Sequence, residues 1–287
     1  MKKKITRIIL LLILLISITG CKKEEEVKTY PVDVEYKSTY NGKQGSAGPL
    51  QGNTLVISIF ASDQNTKWTD SKADRKAQKN VLSRLKVATE YLSKSAANYG
   101  KSLTFIYNWE KNPDLRYIAE FENNLVIKEG TNYKLQKSLI EKHISIKTLT
   151  NKYHADNIIY FFFLNTAFDN QIKPWTISHR NCDYCNIEFT NMYVREKGKL
   201  SSAATYAHEM MHQFGAPDFY VENEIIPNTY VEYLRNNKSK DIMFYINNDS
   251  KINCKFTDLD AYYVGIASRP SEANQWNLGK SEYESNS

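Results

Sequence analysis

Residues 201–215 read SSAATYAHEMMHQFG. His208 and His212 stand four apart, a spacing that puts both rings on one side of a helix, one turn from each other. Two imidazole nitrogens so placed reach a single metal ion at about 2.0–2.1 Å. Glu209 follows the first histidine and points to the flank of the same site, where a carboxylate can hold a water and take its proton. Ser201 or Ser202 is placed to cap the helix and Gly215 to end it. Ala203, Ala207, Met210, Met211 and Phe214 form its apolar face. In a chain with five histidines, random placement gives roughly 0.006 matches to this pattern. A surface helix with incidental histidines is therefore the weaker reading.

Gly215 lies three past His212 and Asp218 three past Gly215, so the stretch reads HEMMHQFGAPD. It resembles the signature of the metzincin clan of zinc metalloproteases, in the form that ends in aspartate, as in the snapalysin-like secreted bacterial proteases. The resemblance implies one zinc ion per chain held by His208, His212 and Asp218, with Glu209 as general base and Gly215 permitting a sharp turn below the metal. An aspartate in place of the commoner histidine makes the metal a slightly weaker Lewis acid. Downstream, residues 241–245 (DIMFY) resemble the clan's Met-turn. On that likeness Met243 forms an apolar floor under the histidines, and Tyr245 donates a hydrogen bond to the oxyanion. The close resemblance covers about residues 203–266; upstream only the order of elements agrees.

Other residues compete for these roles. Glu232, twenty past His212, stands where a thermolysin-like protease takes its third ligand; Gly215, Asp218 and the Met-turn favour Asp218. Cys182 and Cys185 form a CxxC. A redox or zinc-ribbon reading lacks its helix or its further ligands, so in an exported chain a Cys182–Cys185 disulfide is the favoured of three pairings with Cys254. His143 and His154 read as packing residues on or beside an apolar helix face. His179 precedes the expected edge strand, within reach of a substrate.

The elements that must position this site alternate. Residues 54–61 (TLVISIFA) read as a buried strand. Val81, Leu85, Ala88, Leu92 and Ala96 mark an amphipathic helix over 70–99, closed by Gly100. Strands follow at 102–109 and 115–122, and a helix at 133–153. Residues 157–164 (NIIYFFFL) are apolar enough for mid-sheet, and 187–195 are the expected edge strand. A capped helix is expected over 257–267. The order implies an α/β (α+β) fold with right-handed crossovers. The clan resemblance implies a metzincin-like catalytic domain: a mixed twisted sheet, an active-site helix and a C-terminal Met-turn subdomain.

The N-terminus reads as an address. Lys2, Lys3, Lys4 and Arg7 precede the apolar run 8–18, too short to span a bilayer comfortably and suited to a secretory signal. The run ends in Ile18-Thr19-Gly20-Cys21, which resembles a bacterial lipobox and makes Cys21 the lipidation site. The expected division is a lipoprotein signal at 1–20, a flexible tether at 21–53, a catalytic domain at 54–270 and a loose polar tail at 271–287. The 287 residues are 41% hydrophobic and 24% charged, which excludes a mainly disordered or fibrous chain. A mean hydropathy of −0.55 excludes a polytopic membrane protein. Four of the cations behind the net charge of +6 sit in the signal, and the remaining lysines, interspersed with acids, show no basic stripe; no nucleic-acid partner is expected.

These features imply a membrane-anchored, extracellular zinc endopeptidase, monomeric, acting on proteins or peptides from a lipid anchor outside the cytoplasm. The main rival is a surface-exposed binding lipoprotein on a catalytically inactive metalloprotease-like scaffold. A non-haem iron oxygenase, which also uses two histidines and a carboxylate, is the third.

Overall fold

The computed structural model describes residues 29–31, 47–127, 130–167, 173–177 and 187–284. The signal, Cys21, His179, Cys182 and Cys185 lie outside the described residues. The elements in order are β1 (Thr29–Pro31), β2 (Gly52–Ser62), α1 (Lys72–Asn98), β3 (Leu103–Ile106), β4 (Arg116–Glu120), β5 (Val126–Ile127), β6 (Gly130–Thr131), α2 (Tyr133–His143), α3 (Ile146–Tyr153), β7 (Asn157–Thr166), β8 (Trp175–Ile177), β9 (Phe189–Glu196), β10 (Lys199–Leu200), α4 (Ala203–Gln213), α5 (Asn228–Asn236), α6 (Asp258–Tyr263) and α7 (Ser271–Gln275). The chain is thus mixed α/β.

One mixed sheet runs β1-β4-β2-β7-β9-β10, with β3 also on β2 and β8 also on β9. β2, β7 and β9 run parallel in its centre, with Phe60 opposite Phe163 and Phe163 opposite Met192. Strands flanked on both sides and covered on both faces need apolar residues throughout, and from Leu55 to Ala61 and from Ile158 to Leu164 almost every side chain is buried. Successive residues of β9 point to opposite faces. Thr190 bonds Gln213 of α4 and Asn191 bonds Gln136 of α2, so those two helices lie on opposite sides of the sheet. α1 packs beside α4.

The buried amide of Gln213 fixes α4 to the sheet. β9 begins pairing with β7 only at Phe161, and one residue earlier the Gln213 amide meets the backbone of Tyr160. Its Oε1 accepts from Tyr160 N at 3.1 Å and its Nε2 donates to Tyr160 O at 3.1 Å. The same Nε2 donates to Thr190 Oγ1 at 2.9 Å.

Several expectations are corrected. The strand expected at the edge, 187–195, is internal: β7 pairs one side of β9 and the short antiparallel β8 the other. Three residues are too few to show a strand period. The single helix expected over 133–153 is two, broken at Ile144 and Ser145, where Ser145 Oγ turns to Thr148 Oγ1 at 2.7 Å; serine side chains offer such local alternatives to helical bonding. His154 is exposed, in the left-handed conformation that ends α3. The expected tether is packed at its end, since Leu50 is fully buried and its N–H donates to Val264 O at 2.9 Å. The expected loose tail docks: Ser281 N donates to Tyr262 Oη at 2.8 Å and Tyr283 Oη to Phe214 O at 3.1 Å, at the end of α4. Finally, a basic stripe does exist. Winding α1 lines up lysines that the linear sequence separates.

The Gln213 clamp carries a prediction. Gln213→Leu removes three buried hydrogen bonds and strands the Tyr160 N–H and C=O, at about 1–3 kcal/mol for each buried group left unpaired. Urea unfolding is expected to show a loss of about 3 kcal/mol; a change below about 0.5 kcal/mol contradicts the clamp.

Candidate metal centre

α4 starts at Ser202, whose side chain accepts from Thr205 N at 3.2 Å, and runs through the interior with His208 and Glu209 buried. It ends at Gly215, whose φ of 96° favours glycine; a Cβ there would also press on the Glu282 carboxylate and sit 3.2 Å from Tyr263 O. This bend turns the chain back under the helix. It brings Ala216 O to 2.7 Å from His212 Nδ1 and Asp218 Oδ1 to 3.2 Å from the Nε2 of each histidine.

The second support is the turn at 241–245. Ile242 O accepts from His208 Nδ1 at 2.9 Å. Asp241 holds the turn by accepting from Met243 N and Thr257 Oγ1, both at 2.7 Å. Burial pushes the Asp241 carboxyl up to about 6, and burial together with the Asp241 charge raises Asp260 beside it. Met243 is fully buried, and its carbonyl accepts from Phe219 N at 2.9 Å.

The consequence is chemical. Each Nδ1 faces a carbonyl, which only accepts, so in the neutral rings each carries its proton there and each Nε2 presents a lone pair. The two Nε2 atoms are 3.1 Å apart, and Asp218 Oδ1, sealed from solvent, has no well-formed hydrogen bond among the described residues. With both rings neutral, three electron-rich atoms thus face one another at 3.1–3.2 Å, a repulsive set that a proton or a metal ion relieves. Three ligand atoms so spaced would fit a single metal ion at about 2.0–2.1 Å from each. Among the described residues this is the only such group of three potential ligands. Glu232 is not part of it; it pairs with Arg235 on α5.

Around this triangle the structure places two residues that sequence reasoning missed. Thr176 of β8 donates to Glu209 Oε2 at 2.5 Å and shares a hydrogen bond of 2.7 Å with Thr190 Oγ1; it orients the Glu209 carboxylate. Tyr220, two past Asp218, lays its ring near the His208 ring, with centroids 6.2 Å apart. Desolvation first, then the charges of Asp218 and Glu209, keep its phenol protonated. Tyr245 has a different neighbour: the Lys240 ammonium lies 3.7 Å from the centre of its ring. No model of a known protein family matches the chain, and no curated protein matches it.

Burial lowers the His212 pKa, but the Asp218 charge beside it prevails and raises it from 6.5 to about 9 in the metal-free chain. The protonated ring therefore stabilises the metal-free fold fully below pH 6.5, and that contribution is lost as pH rises through about 9. Below pH 9 a metal must displace this proton. Titrating metal into the stripped chain at pH 7.5 is expected to release close to one proton per ion bound, and apparent affinity should fall on acidification. Affinity independent of pH between 6 and 8 contradicts the assignment.

Proposed function

We propose that this chain is a zinc endopeptidase held outside the cytoplasm by a lipid on Cys21. The observation that carries the reading is the triangle of His208 Nε2, His212 Nε2 and Asp218 Oδ1, each imidazole fixed from behind by a backbone carbonyl. Two nitrogens and one carboxylate oxygen are a donor set suited to catalytic zinc. Zinc, when bound, supplies a Lewis acid that polarises a peptide carbonyl and acidifies water.

The chain's own residues supply the rest. Glu209, oriented by Thr176, takes the proton of the attacking water and returns it to the leaving amine. Tyr220, with its proton retained, donates a hydrogen bond to the developing oxyanion, the role that sequence reasoning gave to Tyr245. β8 pairs only with β9 among the described strands, so its outer edge can receive an extended peptide through backbone bonds. Thr176 lies on that strand, which ties the proposed substrate edge to the base.

The purified chain is expected to carry about one zinc ion. Glu209→Gln should keep the metal and lose about 10²–10⁴-fold in peptide hydrolysis; full activity in that variant contradicts the reading. Zinc bound with no cleavage of any unfolded protein or peptide library would favour the binding-protein alternative, and iron in place of zinc the oxygenase. Tyr220→Phe should lower kcat by about 10²-fold with metal content unchanged, whereas Tyr245→Phe should leave kcat within about twofold of the parent.

A further inference from the structure

The outer face of α1 is a basic ridge. Lys72, Lys76, Lys79, Lys86 and Lys94 are exposed and, at 100° per residue, fall within about 40° of one line along the helix. Arg75, also exposed, flanks them. From Lys72 to Lys94 the ridge is about 33 Å long. Its one acid is Glu90, bonded to Lys86 at 2.9 Å. The other acid of α1, Asp74, is turned inward to Thr69 and Asn165. Six cations against one carboxylate leave a strong local surplus in a chain whose charge is otherwise mixed.

The ridge has a shape as well as a sign. Lys79, Ser83 and Lys86 face Tyr107 and Asn108 across a groove of about 380 Å³, with Glu110 also in its wall. A straight convex row of lysines with a shallow side groove suits a flat array of phosphates better than a concave cleft would. The chain itself brings such a surface near. β1 pairs with β4 from Thr29 onward, so only eight residue steps separate Cys21 from the folded sheet, a span of at most about 30 Å however they are arranged. A lipid on Cys21 therefore keeps the domain within reach of headgroups, where each basic side chain near an anionic surface adds to adhesion.

We propose that the α1 ridge docks the domain on the anionic phospholipid surface of the membrane that holds its N-terminus. The proposal rests on the anchoring part of the reading above and not on peptide hydrolysis. Docking would fix the orientation of α1, and with it of α4 packed alongside, relative to the bilayer.

The test is lysine footprinting with an amine-acetylating reagent, read by mass spectrometry. The full chain is reconstituted on phosphatidylcholine vesicles with or without phosphatidylglycerol. On anionic vesicles at 0.1 M salt, acetylation of the ridge lysines is expected to slow at least fivefold relative to neutral vesicles. Exposed Lys197 and Lys251 should not change. The slowing should vanish at 1 M salt and, at the remaining ridge lysines, in the Lys76→Glu/Lys79→Glu variant, whose changes lie on the solvent side. Equal rates on both vesicle types overturn the proposal. Slowing by soluble polyphosphate with none on anionic vesicles overturns the lipid assignment. Flotation of the same samples reads anchoring separately: a chain that fails to float on neutral vesicles removes the anchor, and the anionic comparison still decides the ridge.

Discussion

Two backbone carbonyls set the chemistry open to the candidate site. Ile242 O and Ala216 O each hold the Nδ1 of a histidine, at 2.9 and 2.7 Å. That choice of tautomer turns both Nε2 lone pairs towards Asp218 Oδ1 and makes a cation the natural occupant. Without it the same three residues would form an ordinary hydrogen-bonded group. Both carbonyls are held by structure outside the helix. Ala216 depends on the left-handed Gly215, and Ile242 on a turn fastened by the buried Asp241.

The rest of the fold keeps those two supports in register. Gln213 pins the end of α4 to the backbone of β7, one residue before β7 starts to pair with β9. Tyr206, near its start, stacks on Phe161 and Phe163 of the same strand. The C-terminal segment closes over the helix end through Tyr283 and is held to α6 through Ser281. A candidate site built this way draws rigidity from the central parallel strands, while β8, short and at the margin, brings Thr176 to Glu209. The charged face of α1 is the other side of the same economy: the helix that buries its apolar row against the sheet and α4 must show its lysines outward.

The helix, its cap, its end and the spacing of His208, Glu209 and His212 were legible in the sequence because they obey local rules of period and capping. Asp218 was legible only through a resemblance, since nothing local says where a chain goes after a glycine bend. Thr176 was not legible: it meets Glu209 because β8 pairs with β9 in a register that sets Thr176 opposite Thr190, a long-range fact. Tyr220 was missed because a loop conformation, not a repeat, carries its ring to His208. The mid-sheet place of the NIIYFFFL strand followed from its uniform apolarity, and the edge was misplaced because the true edge strand is three residues long. The tail after Arg269 looked soluble in composition, yet a few residues, Leu278, Ser281 and Tyr283 among them, are enough to dock it.

The central claim is that two imidazole nitrogens and one carboxylate oxygen close on a single zinc ion. X-ray absorption at the zinc edge of the purified chain measures this most directly. The account predicts about one zinc per chain with only nitrogen and oxygen neighbours at about 2.0–2.1 Å, two of them imidazoles, and an altered first shell in Asp218→Ala. A sulfur neighbour, or a spectrum unchanged by that substitution, would contradict it.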